Sequence, residues 1–256
     1  MNVVRKIDWR EKIVATAIHF LVTLTLAASA AALIFLVWFP DPFQTMIGGT
    51  ELFLLVVGCD LVLGPLISLV VYNSRKSRGK LIFDYAVIAV AQITALIYGV
   101  QILAGSRPVF VAFSVDRLEV VTAREITDTE LAAVRRPEYA TLSYTGPRLV
   151  GIDVPPADRE DALFQGVNGN DIYLRPKFFV PYESKLTDIR KRAKPIGDLM
   201  KRSAAVKSVV EAAMRDIELP ADRIRWVPVH HSKGFWTAFI DIDSGKPVRY
   251  AAFDPY

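Results

Sequence analysis

Three apolar runs, about Ile13 to Val37, Leu52 to Tyr72 and Leu81 to Leu103, constrain this chain more than any other feature. Each exceeds the roughly 20 helical residues that cross a hydrocarbon core. In lipid every backbone N–H and C=O needs a partner, and a helix supplies those partners internally. The runs therefore predict three transmembrane α-helices and not strands. The first run continues past Ala28-Ser29-Ala30 to Val37, longer than the apolar core of about 7–15 residues in a cleaved signal peptide, so an uncleaved anchor is expected.

The loops set an orientation. Arg5, Lys6, Arg10 and Lys12 precede the first run, and Arg75, Lys76, Arg78 and Lys80 lie between the second and third. The Trp38–Glu51 connection has no Lys or Arg and carries Asp41 and Glu51. Positive loops stay in the cytoplasm, which places the N-terminus inside and sends the chain out of the membrane after Leu103. Trp9, Trp38, Phe39 and Tyr72 sit near the expected boundaries, as interfacial aromatic residues do.

Beyond residue 103 the composition changes. Residues 104–256 hold 23 Lys and Arg against 21 Asp and Glu, mixed along the chain. The expected organisation is a three-span membrane domain over 1–103 and an exported, water-facing domain over 104–256. A single cysteine, Cys59, rules out an intramolecular disulfide framework, and a cysteine-free exported domain suits an oxidising compartment. Pattern predicts strands at Val109–Phe113, Arg117–Val121 and Arg148–Ile152, and helices at Asp128–Val134, Asp158–Gln165 and, longest, Ile196–Ile217. Three strands near 223–230, 235–241 and 247–253, the last two joined by Asp243-Ser244-Gly245-Lys246, predict a C-terminal antiparallel sheet. The fold class is thus a membrane protein with three N-terminal helices and an exported α+β domain.

Catalytic chemistry finds little support. Asp60 and Asp84 lie within the apolar runs, where carboxylates are expensive and functional or paired. Counting from opposite faces of the bilayer separates them along the normal by roughly 13 Å, too far for a proton-sharing aspartate pair. Asp84 lies near an interface and can pair with Lys80 one helical turn earlier. Adjacent His230 and His231 point to opposite faces of a strand, which disfavours one shared metal. Gly166-Val167-Asn168-Gly169-Asn170-Asp171 lacks calcium-loop spacing, and no nucleotide-binding glycine loop occurs. Net charge of +4 is small for a nucleic-acid binder. The basic run Arg190-Lys191-Arg192-Ala193-Lys194 reads as a solvated connector or a contact for headgroups or an acidic partner. No cofactor, metal or nucleic acid is implied.

What the runs can do is hold other helices. Ala28 and Ala32, Gly64 and Ser68, and Ala91, Ala95 and Gly99 form small-residue faces, which let backbones approach closely in lipid. Gly64-Pro65 interrupts the second run, and Gln92 adds a polar group to the third. Arg107-Pro108 sets the exit from the membrane, since proline disfavours helical geometry in the residue before it. The candidate binding or structural residues are Asp60, Gly64, Pro65, Asp84, Gln92, Arg107 and Pro108, with membrane lipid as a general partner.

Several of these residues also carry a resemblance. Trp38-Phe39-Pro40-Asp41-Pro42, Gly48-Gly49, Asp60 to Leu66, the following basic loop, Asp84, Gln92, Tyr98-Gly99 and Arg107-Pro108 resemble the bacterial type IV pilin accessory proteins. The C-terminal Asp243–Gly245 turn followed by Phe253-Asp254-Pro255-Tyr256 is similar to that family's ending, while Phe39, Tyr256 and Val229–Gly234 depart from its pattern. The resemblance implies a non-enzymatic accessory protein of the bacterial inner membrane, with a periplasmic C-terminal domain. It would stabilise or present the type IV pilin subunit, whose apolar N-terminal helix carries a carboxylate. Two other readings of the residues stay open: an intramembrane or periplasmic hydrolase that uses Asp60 or Asp84, and a ligand-binding sensor or scaffold with passive spans.

Overall fold

The structure, a computed structural model, describes residues 9–73 and 76–256, with the side chain of Leu52 excepted. Arg5, Lys6 and Arg75 of the expected cytoplasmic charge clusters lie outside the described residues. The chain forms two compact units, residues 1–37 with 48–104 and residues 38–47 with 105–256.

The first unit is made of helices. Helix α1 covers Trp9–Leu33 and runs on into a π turn at Ile34–Trp38, and α2 is a short helix at Phe43–Ile47 in the intervening segment. Helices α3 (Gly49–Val71) and α4 (Arg78–Ser106) follow. Among the described residues, three helices are long and apolar enough to cross a membrane, Trp9–Trp38, Gly49–Val71 and Arg78–Ser106. Their outward surfaces are apolar, with Ile13, Leu21, Leu55, Val70, Ile82 and Val90 all exposed. Hydrophobicity on every side is the pattern of a core-buried or membrane-spanning helix. Hydroxyls within them serve themselves: Thr25 donates to the Leu21 carbonyl at 2.8 Å, Ser29 to Thr25 at 2.9 Å and Thr94 to Val90 at 2.7 Å. That i−4 bond satisfies a hydroxyl without any neighbour. The Lys12 and Lys76 ammonium groups donate to carbonyls at the C-terminal end of α3, those of Leu69 and Val71, where the helix leaves acceptors unsatisfied.

The second unit is a mixed sheet with helices packed on it. Strands β1 (Pro108–Ser114) and β2 (Arg117–Thr122) form an antiparallel hairpin, and β3 (Arg148–Ile152) runs parallel to β1. Helices α5 (Asp128–Ala132) and α6 (Arg159–Val167) flank β3 in sequence, and β4 (Phe179–Pro181) closes that side. After α7 (Leu186–Arg192), β5 (Lys194–Pro195), α8 (Ile196–Met200) and α9 (Ala204–Arg215), the meander β6 (Ile224–His231), β7 (Gly234–Asp241) and β8 (Pro247–Ala251) ends the chain. The order is β4-β3-β1-β2-β6-β7-β8, with β5 also paired to β6. One core gathers Val109, Phe110, Val150, Phe178 and Phe179, and a second gathers Leu199, Val210, Trp226 and Phe239. The two halves meet where β2 and β6 pair in parallel through Leu118–Val229 and Glu119–His230.

Three observations depart from the sequence reading or extend it. The expected helix Ile196–Ile217 is split into α8 and α9, because Ser203 caps α9 by accepting a hydrogen bond from the Val206 amide at 3.3 Å. The apolar spacing carries the same break, since five residues separate Met200 from Val206. The basic run is divided in use: Arg190 donates to the carbonyls of Ile242 and Asp243, while Lys194 lies 4.9 Å from the Trp226 ring centre. Finally, Trp38–Ile47 groups with the C-terminal unit. There Phe43 packs edge-on to Tyr250 with ring centres 5.6 Å apart, and Pro40 abuts Gly146.

The turn after β7 is built on Asp241. Its carboxylate accepts from Arg223, from the amides of Asp243 and Ser244 and from the Ser244 hydroxyl. Burial works against the charged form, but these donors outweigh it and hold the pKa below the usual carboxylate range. The same turn needs Gly245, whose φ of +70° suits glycine and whose Cβ, if present, would lie 2.7 Å from Leu186. Asp241→Asn should destabilise the chain by about 1–3 kcal/mol, as for a buried charged acceptor that loses its donors' match, in chemical or thermal unfolding. Buried His231 gives a pH signature. Burial, then the nearby His230 and Lys233 charges, push it down to about 4. The unfolded chain takes up a proton near 6.5 that the folded chain refuses, so stability is full above 6.5 and falls as pH drops toward 4. Melting of the detergent-solubilised chain should follow that window, and His231→Gln should flatten it. The Asp241 contribution is lost only below the ordinary carboxylate range.

Candidate functional site

A polar constellation occupies the middle of the three-helix unit. Asp60 lies eleven residues from either end of α3, so about 16 Å from each end at 1.5 Å per residue. On α4, Gln92 joins the three helices through one carboxamide: its nitrogen donates to the Asp60 carbonyl at 3.3 Å, and its oxygen pairs with His19 Nε2 of α1 at 2.8 Å. With the amide nitrogen committed to a carbonyl, the amide oxygen faces His19, which puts the proton on Nε2. His19 Nδ1 is buried without a hydrogen-bond partner among the described residues.

Gly64 makes this approach possible. A Cβ there would lie 2.3 Å from the Gln92 side-chain nitrogen. One turn on, Ser68 is fully buried and shares a 2.6 Å hydrogen bond with Tyr85 of α4. Pro65 sits inside α3 and leaves the Leu61 carbonyl without its usual amide, next to the carbonyl that Gln92 reaches.

Around these residues runs a lateral groove of about 480 Å³. Ile18, Val22 and Leu26 of α1 and Ala89, Ile93 and Leu96 of α4 form its walls, and His19, Thr23, Asp60, Tyr85 and Gln92 contribute its polar surface. No hydrogen bond or ion pair reaches the Asp60 carboxylate among the described residues. Ionisable groups at membrane depth face a bundle interior or a cavity, and their positions mark function.

The other candidates lie elsewhere. Asp84 pairs with Lys76, not Lys80, at 2.6 Å. Lys80 sits on α4 itself, whereas Lys76 lies in the preceding connection and reaches both Asp84 and the Val71 carbonyl at the end of α3. Arg107 is buried in the C-terminal unit, donates to the Ser143 carbonyl at 2.9 Å and lies 4.0 Å from the Tyr144 ring centre. Pro108 opens β1 opposite Thr122. The small-residue faces divide as well: Gly64, Ser68 and Gly99, the last against Val56, are consumed inside the unit, while Ala28, Ala32, Ala91 and Ala95 face outward. His230 and His231 go separate ways. His230 bonds Glu119 at 2.7 Å, and His231 accepts from the Lys233 amide at 3.1 Å. His19 and Tyr85 were not singled out from sequence. Their signal was a polar ring on an apolar run at the depth of a partner, visible only once the helices are assembled.

Gly64→Ala should drive the Gln92 carboxamide away and break both of its bonds. Gly64→Ala and Gln92→Ala are each expected to destabilise the unit by about 0.6–1.7 kcal/mol, the range for hydrogen bonds between membrane helices. The double variant should be no worse than the weaker single one in detergent unfolding, because the two remove the same interaction. Additive effects would show that Gly64 acts through another contact.

Comparison with known proteins fits this layout. A family model described as fimbrial assembly protein FimB matches residues 7–48. A fimbrial assembly protein of serogroup I from Dichelobacter nodosus is 34% identical over 230 residues, covering 88% of this chain and 89% of the relative. That of serogroup E1 from the same organism is 31% identical over 230 residues, with the same coverage, and that of serogroups C1 and C2 is 39% identical over 116 residues, 45% of this chain and 88% of the relative. No solved structure matches the chain. The resemblance to pilin accessory proteins and the shared length of these relatives converge: the chain belongs to the fimbrial assembly protein family.

Proposed function

We propose that the chain is an inner-membrane accessory protein, a non-catalytic chaperone or assembly factor, that holds a type IV pilin subunit by its transmembrane helix before the subunit enters the pilus. The observation that carries this reading is the groove between α1 and α4, apolar on its walls and polar at mid-depth, with an unpartnered carboxylate in it. Such a groove suits an apolar helix that brings a polar group of its own. The relatives' name, fimbrial assembly protein, supplies the biological setting.

In this reading residues 1–103 form the membrane domain, with the N-terminus in the cytoplasm, and residues 104–256 form a periplasmic domain that meets the pilin head. Asp60, Gly64, Pro65 and Gln92 shape the groove. Asp84, with Lys76, pins the cytoplasmic end of α4, and Arg107-Pro108 begin the periplasmic domain. Lipid covers the remaining helix faces.

Photo-crosslinkers placed at Ile18 and Ile93, which line the groove, should capture pilin in the intact membrane. One at Val70, 79% exposed and outside the groove, should not. Deletion of the gene should lower pilin abundance and surface piliation. Normal pilin levels and normal pili in a clean deletion, or equal capture from all three positions, would overturn the proposal.

A further inference from the structure

A second concave site lies in the C-terminal unit. Strands β1 and β3 are parallel neighbours, paired up to Phe113 and Gly151, so their C-terminal ends open side by side. Open sheets bind ligands beyond such strand ends. A pocket of about 530 Å³ lies there. Phe113 and Ile152, with Val154 and Ile172, give it an apolar lining, and Lys185, Asp188, Lys191 and Arg192, from α7 and the turn before it, give it a charged one. Its cations are not equivalent. Lys185 is committed to Asp153 at 2.7 Å. In the basic run, Arg190 turns to the Ile242 and Asp243 carbonyls and Lys194 to the Trp226 ring. Lys191 and Arg192 remain. Both line the pocket, and no hydrogen bond or ion pair engages either side chain among the described residues.

The lining also carries a strained residue. Val115 has a φ of +57°, and across it the Asp116 amide donates to the Ser114 carbonyl at 2.7 Å. A three-residue turn of that hand is rare and strained, and a β-branched residue suits it poorly. Glycine would adopt that backbone without steric cost. The valine side chain instead stands 69% exposed in the pocket lining. Backbone strain of this kind clusters at ligand clamps. From the free cation pair, the apolar lining and this valine we infer that the pocket binds a protein segment in which an Asp or Glu side chain adjoins an aromatic or aliphatic one. The apolar side chain packs against Phe113, Val115 and Ile152. The carboxylate pairs with Lys191 and with Arg192, whose guanidinium matches it in a two-bond fork. Asp188, one turn earlier on the same wall, opposes that carboxylate. The site goes beyond the helix-holding function and does not depend on it.

The test uses the full chain in nanodiscs of zwitterionic lipid and short, end-capped, dye-labelled Gly/Ser peptides that carry a central Phe-Glu, Phe-Gln or Ser-Glu pair. Binding is read by fluorescence anisotropy. The Phe-Glu peptide should bind about tenfold more tightly than either control. Lys191→Gln combined with Arg192→Gln should reduce its preference over Phe-Gln to within about twofold, with the melting temperature unchanged because neither side chain is engaged. Asp188→Asn should tighten Phe-Glu binding about two- to threefold and leave Phe-Gln binding as it is. Val115→Gly should weaken Phe-Glu binding without lowering the melting temperature. Equal binding of the three peptides, a preference that survives the double substitution, or no gain in Asp188→Asn would overturn the inference. So would displacement of the peptide by soluble dihexanoyl phosphatidylglycerol at lower concentration than by unlabelled peptide, which would assign the pocket to a lipid headgroup. Pilin capture at Ile18 and Ile93 reports on the membrane groove and is independent of all these outcomes.

Discussion

One carboxamide organises the membrane-length part of this protein. Gln92 extends from α4 to the backbone of α3 and to the imidazole of α1. In an apolar surrounding such a group has no water to fall back on, so its two bonds tie the three helices together at mid-length, alongside the Ser68–Tyr85 bond one turn on. Gly64 is required for the approach, and residues of α1, α3 and α4 line the groove around it. Asp60 is drawn into the same place by its backbone, which Gln92 binds, and its side chain is left to face the opening. Structure and candidate site thus have a common origin.

Much of this was legible in the chain. The three apolar runs gave the helices to within a few residues at most of their ends, since length and hydropathy suffice there. The terminal meander was legible because short runs rich in β-branched and aromatic residues and a glycine turn are both local signals. The candidate site was half legible. Asp60, Gly64 and Gln92 stand out as a carboxylate, a small residue and an amide in apolar runs, and the structure brings all three together. His19 was passed over because a lone histidine in a span says nothing until its partner, 73 residues away, is placed beside it. Lys76 was missed for Asp84 for a related reason. Helical spacing selects Lys80, but the connection before α4 folds back and supplies another amine.

The C-terminal unit shows a different limit. Its strands could be read, but their order could not, since β2 joins β6 across more than a hundred residues of sequence through only two residue pairs. The contacts that tie α7 and the segment before it to the turn after β7, exposed Arg190 on the carbonyls of Ile242 and Asp243 and buried Tyr182 on the Gly245 carbonyl at 2.7 Å, are side chain to backbone contacts that leave no periodic trace.

The packing of Phe43 on Tyr250 links two segments that lie about 200 residues apart in the order of synthesis. Residues 38–47 are made before the second and third apolar runs exist, yet the ring that receives Phe43 is six residues from the C-terminus. At about 5–20 residues per second, synthesis separates the two by roughly 10–40 s. For that interval Trp38, Phe39, Phe43 and Met46, all buried in the finished protein, have no completed surface to cover them. Until Tyr250 and its strand have been made, residues 38–47 are a sticky, half-made interface in the nascent chain.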